Sequence, residues 1–387
     1  MLISGWLNTT TYTLDLFYLD LSKPFDNNNL TWTLISEGKL PAYTYRSTAV
    51  LSLDNSTIYL YGGFMRNKNT FKQDYSNLVY TFDYPTTTWS TPLLGGNIVP
   101  PPRQDIKGII DNSGKIYIFG GFNATNTSGI GDLYNDMNIL DTVSNTWTNL
   151  STSGNLPTAC EEYSANILPN GIIVYIGGVE RVSVDADLTF VNMKKIKLFN
   201  TNTHEWSQMN ATGDEIDPRW YFSSVLTSDG YIIIFGGSSR IFTSVSPDLA
   251  VLDTNKNPFD WSIPSNSKVN SPPSIYGHTA NLYNDHMIIT FGFNIDAQLF
   301  SSSSQAYLYN IKSNEWVTTF DTPDNKSTTP TTNNPSGEKS SKSLAIGFGT
   351  GLGVAFLISC ILIIIFIVRR IRQRPSVILK ISGSNKQ

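Results

Sequence analysis

The chain has 387 residues, a formal net charge of −4 and a pI near 5.4, and only 15% of its residues are charged. No basic block precedes the far C-terminus, which argues against nucleic acid as a partner. Asn, Thr, Ser, Ile and Tyr are abundant, which suits strands and turns better than long soluble helices, and two cysteines in unrelated contexts, Cys160 and Cys360, predict no disulfide framework.

The first residues, Met1 to Trp6, carry no positive region, no long apolar stretch and no cleavage site, so they do not read as a secretory signal. They open instead on Leu2-Ile3-Ser4-Gly5, a weak copy of a pattern that then recurs. Apolar runs end in a glycine pair at Gly62-Gly63, Gly120-Gly121, Gly177-Gly178 and Gly236-Gly237, with a weaker copy at Ile289-Thr290-Phe291-Gly292-Phe293. Such a run predicts a buried strand, and the pair lets the backbone turn where a side chain would clash. After each pair come a polar insert, a second apolar strand, Asp or Asn, a short turn, and Trp.

Two markers hold one period. Trp32, Trp89, Trp147, Trp206, Trp261 and Trp316 are spaced 57, 58, 59, 55 and 55 residues apart. Gly62, Gly120, Gly177, Gly236 and Gly292, taken as the first glycine of each copy, are spaced 58, 57, 59 and 56. The acceptor before each Trp also keeps its place: Asp83, Asp141, Asn200 and Asn310 all lie six residues ahead, where their side chains can bond turn amides. A period near 57 with four short strands per unit predicts the blade of a β-propeller.

In its glycine pairs, its Asp-to-Trp turns and the segments Pro102-Arg103, Pro218-Arg219 and Gly277-His278 that lead into a unit, the chain resembles the Kelch family. The resemblance covers residues 1–320 and implies an all-β, Kelch-type propeller of six blades. The sixth copy departs from it by carrying Phe293 where the second glycine is expected. Copy one begins at its second strand, so its blade should hold three strands. Either a first strand and a signal peptide belong upstream, or the ring closes on a short blade.

Residues 321–343 are Thr, Ser, Pro, Asn and Lys with almost nothing apolar, and predict a disordered stalk. Leu344 to Val368 is apolar and uncharged and exceeds the ~20 residues needed to span a bilayer as a single transmembrane helix. Arg369, Arg370, Arg372 and Arg374 follow in a short tail, 369–387, and the positive-inside rule puts them in the cytoplasm with the propeller outside, at the plasma membrane. Gly347 and Gly351 form a small-residue face that could pair two copies weakly. The sequons at Asn8, Asn29, Asn55, Asn123, Asn126, Asn149, Asn210 and Asn325 all precede the span, as candidate N-glycosylation sites of a glycoprotein must.

No catalytic, cofactor or metal site is expected. Some propeller oxidases related to this repeat bind copper through several imidazoles and a tyrosine joined to a cysteine, whereas His204, His278 and His286 fall in different repeat contexts here. Glu161-Glu162 and Asp185 with Asp187 read as solvated loop carboxylates. Recognition is expected instead on the variable loops between second and third strands, with Arg66, Lys68, Phe122, Asp132, Arg240 and Phe242 as candidate contacts. The expected function is a non-catalytic cell-surface recognition or adhesion module for protein or glycan. The alternative is a tail-anchored, cytosol-facing scaffold that gathers protein partners at a membrane.

Overall fold

The computed structural model describes residues 2–3 and 13–322, apart from positions 37, 97, 126–131, 151–154, 184, 266–267 and 301–304. The span expected at 344–368 with Gly347 and Gly351, the tail, nearly all of the stalk, and Asn8, Asn126 and Asn325 lie outside the described residues. Among the described residues the regular elements are all strands, and no helix is long and apolar enough to cross a membrane.

Six antiparallel sheets follow one another along the chain, at 2–34, 48–90, 108–150, 164–210, 223–262 and 279–317. Each of the last five is a four-stranded meander, and two of them gain a short parallel strand at the outer edge, Gly95–Gly96 and Thr212–Gly213, from the preceding linker. The first holds three strands among the described residues: Leu2–Ile3, Leu16–Tyr18 and Thr33–Leu34.

The second strand of a blade is buried on both faces, which is why it reads as a continuous apolar run rather than a clean alternation. In Lys115–Phe119, Ile116 and Ile118 pack into the core between blades two and three, while Tyr117 and Phe119 pack into the core between blades three and four. Ile232 with Ile234, and Ile233 with Phe235, divide in the same way between the neighbours of blade five. There is one such core for every blade pair, including blades one and two around Leu16, Ile35 and Phe82, and blades six and one around Leu308, Phe320 and Phe25. Six cores for six blades mean that the ring closes. Its seam is also pinned by Phe25–Asp26 pairing with Thr319–Phe320, the two phenylalanines stacking at 4.9 Å.

The repeat tryptophans fill these interfaces. Trp89, Trp147, Trp206, Trp261 and Trp316 each pack against the preceding blade, and Trp32 of blade one stacks on Phe291 of blade six. The indole N–H reaches a carbonyl at Trp89 (Gly38 O, 2.9 Å) and Trp261 (Met193 O, 2.9 Å). At Trp32 and Trp206 it finds no partner among the described residues, so shape rather than that bond is the shared demand.

The glycine pairs have a geometric cause. In blade three Gly120 and Gly121 have φ of 60° and 93°, and a Cβ on Gly120 would come within 2.5 Å of the Cys160 carbonyl, where the chain leads into blade four. The second glycine donates its N–H across the interface, Gly121 to Cys160 O at 2.8 Å and Gly237 to Ile275 O at 2.9 Å. This geometry corrects the alignment of copy six. There the left-handed pair is Phe291 (φ 61°) and Gly292 (φ 94°), so Phe291 stands in the first glycine's place and Gly292 in the second. Phe291 tolerates the position because its ring lies over Trp32, at a 5.9 Å centroid distance.

Candidate functional site

In an antiparallel four-stranded blade the loop between strands two and three lies at the same end as the segment leading into strand one. Here the two are hydrogen-bonded to each other. Ala42–Tyr45 pairs with Phe64–Asn67, Arg103–Gln104 with Phe122–Asn123, Ala159–Glu161 with Val179–Arg181, and Ile275–Tyr276 with Phe293–Asn294, while Trp220 bridges Ser238. These small ribbons crown one face of the ring.

Two buried arginines anchor the crown. The Arg103 side chain is fully buried and binds Gly120 O at 2.9 Å and both oxygens of Asp136 at 2.8 and 3.1 Å, with its guanidinium 4.4 Å from the Tyr134 ring centre. Arg219, its counterpart in blade five, reaches only the carbonyls of Gly236 (3.0 Å) and Asp217 (3.1 Å). Burial therefore pulls its guanidinium down to about 10, against the pull of Asp217 and Asp248.

Two residues after each of these arginines the chain passes through a left-handed residue at the channel mouth. The series is Arg46 (φ 59°), Asp105 (60°), Glu162 (55°), Tyr221 (55°) and Gly277 (66°), one per blade from two to six. The Asp105 N–H donates to Arg46 O (3.0 Å), the Glu162 N–H to Asp105 O (3.1 Å), and the Gly277 N–H to Tyr221 O (2.8 Å). Four of the five are not glycine, in a conformation that disfavours L side chains, and such strain gathers at functional sites.

Their side chains converge. Arg46 Nη1 lies 3.0 Å from Asp105 Oδ2, and its guanidinium sits 5.5 Å from the Tyr221 ring centre. Burial works against the Arg46 charge, but Asp105, Tyr221 and Glu162 outweigh it and hold its pKa above the ordinary value. Burial, followed by the Asp105 charge, pushes Glu161 up to about 8 and Glu162 well above the carboxylate range. Glu161 is only 6% exposed and Glu162 is half-buried on the cavity wall, so the expectation of a solvated Glu161-Glu162 pair is overturned: the chain turns inward at this point to join the ring. Asp185 and Asp187 are exposed. A cavity of about 1040 Å³ opens beneath the mouth, lined by Arg46, Asp105, Lys107, Glu162, Tyr221 and His278 among others, and runs beside blade one toward Asn55.

From Tyr221 an aromatic tract crosses blades four to six. Phe190 meets Trp220 (5.3 Å), Trp220 meets Phe242 (5.4 Å), Phe242 meets Tyr276 (5.4 Å), Tyr276 meets Phe293 (5.2 Å), and Phe293 meets Phe300 (5.2 Å). Phe242 is 44% exposed and its neighbour Ile241 78%, so the tract is open to a partner.

Comparison with known proteins agrees with this architecture. The family described as the KLHDC2/KLHL20/DRC7 Kelch-repeats domain matches residues 1–197 and 191–347. The chain belongs to the Kelch-repeat family. Kelch domain-containing protein 3 of Rattus norvegicus is 30% identical over 226 residues, 55% of this chain and 54% of the relative. Acyl-CoA-binding domain-containing protein 4 of Arabidopsis thaliana is 24% identical over 305 residues, 76% of this chain and 41% of the relative. N-(sulfonatooxy)prop-2-enimidothioate sulfolyase of Thlaspi arvense is 26% identical over 205 residues, 52% of this chain and 53% of the relative. The chain spans about half the length of the first of these relatives.

The Kelch scaffold disperses the six candidate contacts. Lys68, Asp132 and Arg240 are exposed on separate loops. Arg66 is half-buried in the blade-two ribbon, with Nη1 donating to Phe71 O at 3.2 Å and its guanidinium near Phe64. Phe122 is 8% exposed and serves the packing of its own ribbon, which leaves it little surface to offer. Phe242 alone joins the tract. Trp220, Tyr221, Tyr276, Arg46 and Asp105 were not singled out by sequence.

His278 is buried and burial holds its imidazole down to about 3, so it is neutral at physiological pH, in keeping with a structural residue. Among the described residues no group of three or more His, Cys, Asp or Glu is placed to hold a metal ion. Of the sequons, Asn29, Asn55 and Asn210 are exposed. Asn123 is half-buried in a ribbon, and the Asn149 amide nitrogen donates to Asp136 (3.1 Å) and Asn138 (2.9 Å), which occupies the atom that would carry a glycan.

Proposed function

We propose that this Kelch propeller is a non-catalytic recognition module, binding a protein or glycan partner on its crown of lead-in and second-to-third-strand loops. The observation that carries the reading is the open aromatic tract from Phe190 to Phe300, running into a strained, charged ring at the channel mouth. Rigid aromatic surface beside buried charge is the composition of interface hot spots. Replacing Trp220 and Phe242 by alanine should abolish capture of partners identified by quantitative mass spectrometry. Val143→Asp, on an exposed turn at the opposite end of the blades, should not. Equal capture by all three proteins would end the proposal.

In this reading the propeller stands at the cell surface, held by one span over 344–368 with the arginine-rich tail inside. Exposure of Asn29, Asn55 and Asn210 supports that orientation. The expected result is a gel mobility that N-glycosidase increases and that Asn29→Gln, Asn55→Gln and Asn210→Gln together mimic. An unglycosylated chain whose propeller is digested by protease only after the plasma membrane is opened would favour the cytosol-facing scaffold instead.

A further inference from the structure

The channel mouth has an uneven balance of donors and acceptors. Asp105, Glu161 and Glu162 crowd together, and the basic groups that face them are Arg46 and, toward Glu161, Arg181. Lys107 lines the same cavity but forms no ion pair with them among the described residues. Arg46 engages one oxygen of Asp105, and its own side chain is 42% exposed. The other oxygen, Asp105 Oδ1, is buried on a side chain only 2% exposed; the donors available to it among the described residues are the carboxyls of Glu161 and Glu162 while they hold protons, and once these ionise it has none. A buried carboxylate oxygen without a donor costs free energy that an incoming cation would recover.

We propose that the channel mouth is a subsite for the arginine or lysine side chain of a protein partner, received by Asp105 Oδ1 and Glu162 beside the Tyr221 ring, with flanking apolar residues of the partner lying along the Trp220, Phe242 and Tyr276 tract. The choice of a protein side chain over a free amine rests on that tract. It begins at Tyr221, 5.9 Å from Tyr276 and 6.3 Å from Phe242, and leads away from the carboxylates, so a small amine would leave it bare. The subsite deepens the proposed function and rests on it.

Cation uptake has a proton consequence. Below their raised pKa values Glu161 and Glu162 hold protons that shield Asp105, and a guanidinium seated among them displaces those protons. Affinity then rises with pH up to about 8, by at most about tenfold per pH unit for each proton released. Arg46 stays cationic across this range and Tyr221 stays neutral, whereas burial pulls the Lys107 ammonium down, so Glu161→Gln combined with Glu162→Gln separates the slope of the carboxyls from that of Lys107.

The test is calorimetric titration of the full-length chain with an N-acetylated, C-amidated tripeptide bearing arginine between two phenylalanines. The same peptide with norleucine at its centre, and spermidine, serve as comparisons. The arginine peptide should bind about tenfold or more tightly than the norleucine peptide, release protons when measured in buffers of different ionisation heat, and lose that advantage in Asp105→Asn and in Glu162→Gln. Thermal melts identify a variant that fails to fold, and the isosteric Glu162→Gln keeps the test decisive if Asp105→Asn does. Equal binding of arginine and norleucine peptides, or unchanged binding by a folded Glu162→Gln, overturns the subsite. Spermidine binding as tightly as the arginine peptide overturns the assignment to a protein side chain. If the subsite fails while Trp220 and Phe242 are still needed for partner capture, recognition by the crown stands without it.

Discussion

Arg103→Met should lower the unfolding free energy by about 3–5 kcal/mol, while Arg219→Met, at the equivalent place two blades on, should cost under about 2 kcal/mol. Methionine preserves most of the volume in both places, so the difference isolates charge. Removing the Arg103 guanidinium strips Asp136 of a bidentate partner at 2.8 and 3.1 Å and Gly120 O of its donor. Asp136 keeps Asn138 (2.8 Å) and Asn149 (3.1 Å), which places the loss toward the lower end of the range. Arg219 leaves only two carbonyls behind, and burial already disfavours its charge. The sign with pH follows. Burial alone would raise Asp136, but Arg103 holds it below the usual range, so this pair stabilises the fold above about pH 4 and is lost as pH falls through the lowered value. The gap between wild type and Arg103→Met should therefore narrow in acid. Urea melts at pH 7 and at about pH 2.5 measure it; equal losses for the two substitutions would refute the assignment of Arg103 as the charged clamp of the crown.

The two arginines also show what sequence can and cannot display. Arg103 and Arg219 stand out as members of a Kelch lead-in, yet their difference lies in Asp136, 33 residues away in the blade-three loop. Glycine pairs and tryptophans were legible because each answers a demand that few side chains meet. Gly120 faces a carbonyl at 2.5 Å from a Cβ it lacks, and Trp261 fills a gap between blades. Where the demand relaxes, the marker drifts: with Trp32 rather than a crossing backbone above it, the position after Thr290 accepts Phe291, and the copy reads one residue out of register. The ring at the channel mouth was hidden for the opposite reason. No side-chain type is common to Arg46, Asp105, Glu162 and Tyr221, only a backbone conformation. Their single sequence trace is that counting back from Gly277 by 56, 59, 57 and 59 residues reaches each in turn. Adjacent carboxylates are usually solvated, which is why Glu161-Glu162 reads that way in the sequence; the inward turn of the chain that buries Glu161 and half-buries Glu162 is a property of the closed ring.

That burial has a thermodynamic signature, and it predicts an unusual pH profile. Glu161, 6% exposed, is raised from 4.5 to about 8 by burial and by the Asp105 charge, and Glu162 is raised in the same direction. A carboxyl with a raised folded pKa binds more protons in the native state than in the unfolded chain. Its contribution is complete below about pH 4.5 and is lost as pH climbs through the folded value. At roughly 1.4 kcal/mol per pKa unit, the Glu161 term alone is on the order of a few kcal/mol across that window. His278 acts on the other limb: its imidazole is lowered from 6.5 to about 3 by burial, so its contribution is present above about 6.5 and disappears as pH falls toward 3. Between about pH 4.5 and 6.5 the two glutamate terms oppose the single His278 term and outweigh it, so stability should peak near about pH 4.5 and decline toward pH 8, the alkaline slope coming from the glutamates and the acid slope below the peak from His278 together with Asp136. Glu161→Gln with Glu162→Gln should flatten the alkaline limb and leave the acid limb in place, because glutamine keeps the side-chain shape without the ionisation. Denaturant melts at intervals from about pH 2.5 to about pH 8.5 resolve both limbs. A wild-type profile that rises from pH 5 to pH 8, or an alkaline slope that survives the double substitution, would show that the carboxyls at the channel mouth are ionised and already matched by Arg46 and Arg181, and the proton-linked uptake of a cation there would fall with it.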